Sequence, residues 1–141
     1  MYRHLLKKTK QNYKLSLICN QTLDKIGTLL FTSKLETGYL INIKIDNNFK
    51  KLGYGSILIK NAETILIEKY NINTIRLSAW ENSYVSNNLI GFYEQNGYNV
   101  TDIKNISYYD NGYDIFNIVP MVMSQWLNRY VPMVKQICPN G

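Results

Sequence analysis

The chain has 141 residues, 45% hydrophobic and 18% charged, with a formal net charge of +6; that is enough for one domain, residues 1–141, with a buried core. No apolar run reaches the ~18 residues of a membrane span, and MYRHLLKKTKQNYK lacks the apolar core of a signal peptide, so a cytoplasmic protein is expected. The positive balance suits an anionic partner, but the lysines are scattered, which argues against nucleic acid and leaves a phosphorylated cofactor.

Residues 1–12 are polar and basic with no period and read as a loose N-terminal segment. YKLSLIC alternates, with Leu15, Leu17 and Cys19 on one face, and reads as a strand. NQTLDK turns the chain into a second strand, Ile26 to Ser33, which completes an antiparallel hairpin. In YLINIKI, Tyr39, Ile41, Ile43 and Ile45 share one face of a third strand, and Leu40, Asn42 and Lys44 the other. A Gly-Tyr-Gly turn then leads into SILIKNAETILIEKYN, where Leu58, Ala62, Ile65 and Leu66 recur at helical spacing. Lys60, Glu63, Thr64 and Glu68 fall mainly on the opposite side, and Asn71 is a left-handed stop. TIRLSAW is a further strand, so the middle of the chain reads as a parallel strand–helix–strand crossover.

A short helix, NNLIGFYEQN, follows, with Ser86 or Asn87 as cap and Gly97 at its end. Tyr98 to Lys104 and Ile115 to Met123 suit an antiparallel pair joined by SYYDNGYD, with Pro120 keeping the last strand from a central place. Residues 125–137 read as a terminal helix that Pro132 kinks or ends, within a C-terminal extension, 125–141.

Little conventional chemistry is available. Cys19 and Cys138 are far apart, so neither a disulfide framework nor a zinc site is expected. His4 is the single histidine, which excludes a multi-His metal site and disfavours a His-activated nucleophile. No metal is expected. The turn Lys50-Lys51-Leu52-Gly53-Tyr54-Gly55-Ser56 admits two readings. It is a tight strand-to-helix connection, or it is an anion site at a helix N-terminus, where glycines let backbone N–H groups approach a phosphate. It is not a P-loop, which needs Gly-x-x-x-x-Gly-Lys-Ser/Thr, and Leu58 stands where a dinucleotide fingerprint has its third glycine.

INIKIDNNFKKLGYGSILIKNAE resembles the acetyl-CoA-binding motif of the GNAT superfamily of N-acetyltransferases, Arg/Gln-x-x-Gly-x-Gly/Ala, with Lys50 in place of Arg/Gln. NNLIGFYEQNGYNV resembles the family's later helix-and-strand motif, in the right order and separation. The resemblance covers roughly residues 13–127 and implies an α+β fold. A central mixed sheet would be built from an antiparallel meander, the parallel crossover and a closing hairpin, flanked by helices.

It also implies acetyl-CoA as co-substrate, held by Ile43, Lys44 and Ile45 along the strand and by Lys50 through Ser56 at the pyrophosphate. Asn87, or alternatively Asn82, would be the motif asparagine. The acceptor would be a small amine or a protein amine that attacks the thioester directly in a ternary complex. Tyr93 stands at the family's sulfur-protonating position, against an ordinary role in packing. Glu81 is the candidate base, against a solvated turn carboxylate, with Asp46 and Glu36 behind it. A non-catalytic CoA-binding regulatory module on the same fold and a basic nucleic-acid-binding module are the alternative readings. The family's usual N-terminal strand and two helices are shortened to a dozen residues, so the acceptor side would be open, or completed by 125–137 or by a second subunit in a homodimer. Trp80, Tyr84, Tyr108, Tyr109 and Tyr113 are aromatics that could line it.

Overall fold

A computed structural model describes residues 2–82, 89–100, 107–110, 113–114 and 128–137. They fall into two units, Met1–Arg76 with Gln136–Gly141, and Leu77–Lys135.

The first unit is an antiparallel meander with a helix on it. Its strands are β1 (Tyr2–Lys8), β2 (Tyr13–Cys19), β3 (Lys25–Lys34) and β4 (Thr37–Ile45), in that sheet order, followed by α1 (Tyr54–Tyr70) and the start of β5 (Thr74–Asn82). The N-terminal segment is therefore not loose. β1 pairs with β2 from Tyr2↔Cys19 to Lys8↔Tyr13, through a turn in which the Thr9 N–H donates to the Asn12 carbonyl at 2.8 Å. Every residue of β1 is exposed. A strand whose residues are all exposed, with no buried face, has no hydrophobic period to read.

Two bulges shape the sheet. Ile26 is an extra residue in β3 opposite Leu17 and Ile18, and Ile41 is an extra residue in β4 opposite Leu30 and Phe31. The second bulge overturns the single alternation expected for β4. Gly38 and Leu40 face inward before it, Ile43 and Ile45 are half-buried after it, and Tyr39 and Ile41 are left exposed. One inserted residue switches which parity points to the core.

The core of this unit is Leu15, Leu17, Leu29, Phe31 and Leu40 with Leu58, Ile59, Ala62 and Leu66 of α1. Burying each leucine stabilises the fold by about 1.5–3 kcal/mol. Glu63, expected on the outer side, is buried because it lies at the edge of the stripe formed by Ile59, Ala62 and Leu66. Asn71 ends the helix in the left-handed region, φ 53°, its N–H reaching back to the Ile67 carbonyl at 3.2 Å. The Asn73 N–H then donates to the Glu36 carbonyl at 3.2 Å. Glu36 and Asn73 immediately precede β4 and β5, so the two strands start side by side and run parallel, as the crossover reading requires.

The second unit holds the rest of β5, then α2 (Leu89–Gln95), β6 (Asn99–Val100), β7 (Ser107–Asp110), β8 (Tyr113–Asp114) and most of β9 (Asn128–Gln136). The sheet order is β5-β9-β7-β8, with β6 also on β9. Residues 128–136 are thus a strand, not the expected terminal helix. Val131 and Met133 are buried and Pro132 and Val134 half-buried, a period of two, and Pro132 would have broken a helix interior. The Tyr-rich stretch expected as a connecting loop is itself a hairpin, with Tyr109↔Asp114 and Asp110↔Tyr113 paired. Asn99 and Val100 pair with Val134 and Met133. The remainder of the expected closing pair, through Lys104 and from Ile115 to Met123 with Pro120, lies outside the described residues. Gly97, φ 94°, ends α2 as expected, and Tyr98 is fully buried against the Lys135 ammonium at 5.7 Å from its ring.

Candidate active site

The chemistry-bearing turn begins where β4 stops. The Asp46 carboxylate accepts the Asn48 N–H at 3.0 Å and caps a single 3₁₀ turn, Asn47–Phe49. The chain then passes through two left-handed residues, Lys51 at φ 63° and Gly53 at φ 87°, and Gly53 is the N-cap of α1. A non-glycine residue in this region costs about 1–2 kcal/mol. The cap has no side-chain hydrogen bond. The first bond of the helix ladder runs from the Ile57 N–H to the Gly53 carbonyl at 3.3 Å. The N–H groups of Tyr54, Gly55 and Ser56 therefore lie ahead of that ladder, at the positive end of a 17-residue helix.

A Cβ built on Gly53 meets no atom within 4 Å. The glycine is thus required by its backbone angle and opens onto space rather than onto protein. Lys50, Lys51 and Leu52 around it are exposed, Leu52 by 63%. Tyr54 is braced from two sides, by Phe49 at 6.0 Å and by Tyr2 of β1 at 5.9 Å between ring centroids. The donors, the open space and the adjacent cations fit a phosphorylated ligand. Ile43, Lys44 and Ile45 lead through the 3₁₀ turn into this segment, so the residues expected at the cofactor, Asn87 and Tyr93 apart, lie within residues 43–56 of the first unit.

Tyr93 and Glu81 belong to the second unit. Tyr93 is buried on α2 beside Phe92 and Tyr98, at 5.3 and 6.1 Å between centroids. Burial pushes its phenol up to about 12, so the hydroxyl keeps its proton throughout the physiological range. Glu81 and Asn82 are the last residues of β5. Asn87, Tyr84 and Cys138 lie outside the described residues. Among the described residues no group of three or more His, Cys, Asp or Glu is placed to hold a metal, and no helix is long and apolar enough to cross a membrane.

Three features were absent from the expected site. The bulge at Ile41 has its only trace in Leu40, an apolar residue on the otherwise polar side of the strand. The Tyr2 brace depends on a strand with no period. His4, also on β1, contacts the Asn61 amide, and burial of its ring lowers its pKa from 6.5.

A family model described as acetyltransferase (GNAT) family matches residues 3–98, running across the boundary between the units. Among solved structures, a Bacillus subtilis acetyltransferase in complex with CoA is similar with a TM-score of 0.72 at 12% identity, over 98% of this chain and 100% of that one. A GNAT family acetyltransferase from Elizabethkingia anophelis with acetyl-CoA bound gives a TM-score of 0.67 at 15% identity, over 90% and 77%. The ribosomal-protein-S18-alanine N-acetyltransferase of Escherichia coli gives 0.66 at 21% identity, over 95% and 74%. At these identities the likeness is one of fold. No curated protein sequence matches the chain.

Proposed function

The chain belongs to the acetyltransferase (GNAT) family, and from that premise we propose that it is an N-acetyltransferase, a single domain over residues 1–141 that acetylates a primary amine. The observation that carries the reading is Gly53, a left-handed N-cap that faces open space at the start of α1, inside the matched region. Acetyl-CoA, when bound, supplies an activated acyl group. The backbone N–H groups of Gly53 through Ser56 hold its pyrophosphate, with Lys50 and Lys51 adding charge at the rim. Ile43, Lys44 and Ile45 offer strand backbone to its pantetheine arm, and Asn87 is assigned to the same cofactor.

Tyr93 acts on the leaving sulfur. With its phenol near 12, Tyr93 serves as a hydrogen-bond donor to a developing thiolate rather than as a strong acid. A thiolate in the same buried surroundings is itself made more basic, which narrows the gap between the two. Glu81 accepts the proton that an ordinary ammonium, with a pKa near ~10.4, must lose before attack. The acceptor itself is a small amine or a protein amine.

The test is to incubate the protein with acetyl-CoA and a panel of polyamines, amino acids and peptides, reading thiol release and acetylated product by mass. Amine-dependent release of CoA is expected. Tight acetyl-CoA binding with no release across the panel would instead make this a non-catalytic CoA-binding module.

A further inference from the structure

The face of the first unit's sheet turned away from α1 carries a concavity of about 310 Å³ lined by Lys14, Lys25, Ile26, Gly27, Thr28, Lys44 and Asp46. Its polarity follows from the register. A Cβ on Gly27 would come within 3.2 Å of Leu58 of α1, so Gly27 faces the helix and Thr28 faces away. Thr28 pairs with Ser16 on one side and Lys44 on the other. Lys14 is two residues from Ser16 and shares its face. The bulge at Ile26 brings Lys25 opposite Ile18, on that face again. Without the bulge, Lys25 would point to the helix side, so the extra residue is what gathers three lysines from three neighbouring strands.

The charges are not matched internally. Among the described residues none of the three ammonium groups forms an ion pair or a side-chain hydrogen bond. The single carboxylate in the lining, Asp46, accepts the Asn48 N–H and can offset one of the three positive charges, so the lining keeps an excess of positive charge. The turn at residues 9–12 joins β1 directly to β2, so no helix is inserted there to cover this face. Strands lie ~4.8 Å apart and rise ~3.3 Å per residue, so Lys14 and Lys25, on adjacent strands and offset by the four residues from Lys14 to Ile18, lie roughly 14 Å apart. That is too wide for one carboxylate, and it suits an extended chain carrying several.

We propose that this groove docks an acidic peptide segment, the part of a peptide or protein acceptor that flanks its reactive amine. The inference rests on the acetyl-transfer reading for the word acceptor, and on the lysine groove alone for the binding. Lys44 lies within the cofactor-binding stretch, so the groove adjoins the strand that is assigned to the pantetheine arm. An acidic segment held there is specified by charge, with affinity that falls as salt is raised.

The experiment is an amide-resolved NMR titration of the full chain with two peptides, Gly-Glu-Glu-Gly amide and Gly-Gln-Gln-Gly amide, and separately with acetyl-CoA. The acidic peptide should shift the amides of Lys14, Lys25, Thr28 and Lys44, and the neutral peptide should not. The double variant Lys14→Gln, Lys25→Gln should weaken the acidic peptide by about tenfold and leave the acetyl-CoA titration unchanged. Equal response to both peptides, shifts elsewhere, or no response at millimolar peptide would overturn the proposal. So would shifts at Lys14, Lys25 and Thr28 driven by acetyl-CoA, since the groove would then belong to the cofactor. Failure of the acetyl-transfer reading is separately visible, as an acetyl-CoA titration that leaves Lys50 to Ser56 unmoved.

Discussion

At Gly53 the backbone angle dictates the residue. A Cβ there has room, yet φ 87° is costly for any residue that carries one. Gly53→Ala should therefore lower stability by about 1–2 kcal/mol, measured by urea denaturation, and should weaken acetyl-CoA binding as well. Tyr93 makes a different kind of claim. Tyr93→Phe keeps the ring that packs on Phe92 and Tyr98 and removes only the hydroxyl, so folding should be little changed. Turnover should fall by about tenfold to a hundredfold, with the KM for acetyl-CoA unchanged, in steady-state assays. Because the phenol titrates near 12, the wild-type rate should show no limb from Tyr93 between about pH 6 and 9. His4 gives a stability signature. Its folded pKa is lowered, so the unfolded chain binds the proton more readily, and stability is lost as pH falls through the unfolded value of 6.5. Thermal melts of wild type and His4→Gln from about pH 8 to 5 should show a shallower acid decline in the variant.

At the scale of elements, what was legible depended on whether one physical rule governed the stretch. β2, β3 beyond its bulge at Ile26, α1 and the start of β5 obey a single period and are readable, as is the left-handed stop at Asn71. β4 was found but its facing was not, because the bulge at Ile41 changes parity partway along. β1 was missed because an exposed edge strand has no apolar face to announce it. β9 reads as a helix in sequence because QWLNRYVPMVKQI satisfies both periods over so short a run, and Pro132 suits a kink or helix end as well as a strand. The packing of α1 on the meander makes one sharp prediction. A Cβ at Gly27 would lie 2.6 Å from Ile45 Cδ1 and 2.8 Å from the Lys44 carbonyl oxygen, and a backbone atom does not yield easily. Gly27→Ala should cost about 1–3 kcal/mol in denaturant melts. It should also disturb the strand that leads into the glycine turn.

For the molecule as a whole, the cofactor was readable and the acceptor was not. A pyrophosphate demands specific backbone, so Gly53 and the residues around it leave a local pattern in the chain. An acceptor demands only a surface of suitable charge and shape, and the surface proposed for its acidic segment draws Lys14, Lys25 and Lys44 together through two sheet registers and a bulge. Residues dispersed in that way were read as scattered charge within the net +6. The central claim is that the turn from Lys50 to Ser56 is a cradle for acetyl-CoA, and isothermal titration of acetyl-CoA into the full chain and into Gly53→Ala tests it most directly. The account predicts one site per chain with roughly micromolar affinity in the wild type, weakened by about tenfold or more in the variant. No binding by the wild type, or equal binding by a folded Gly53→Ala, would contradict it.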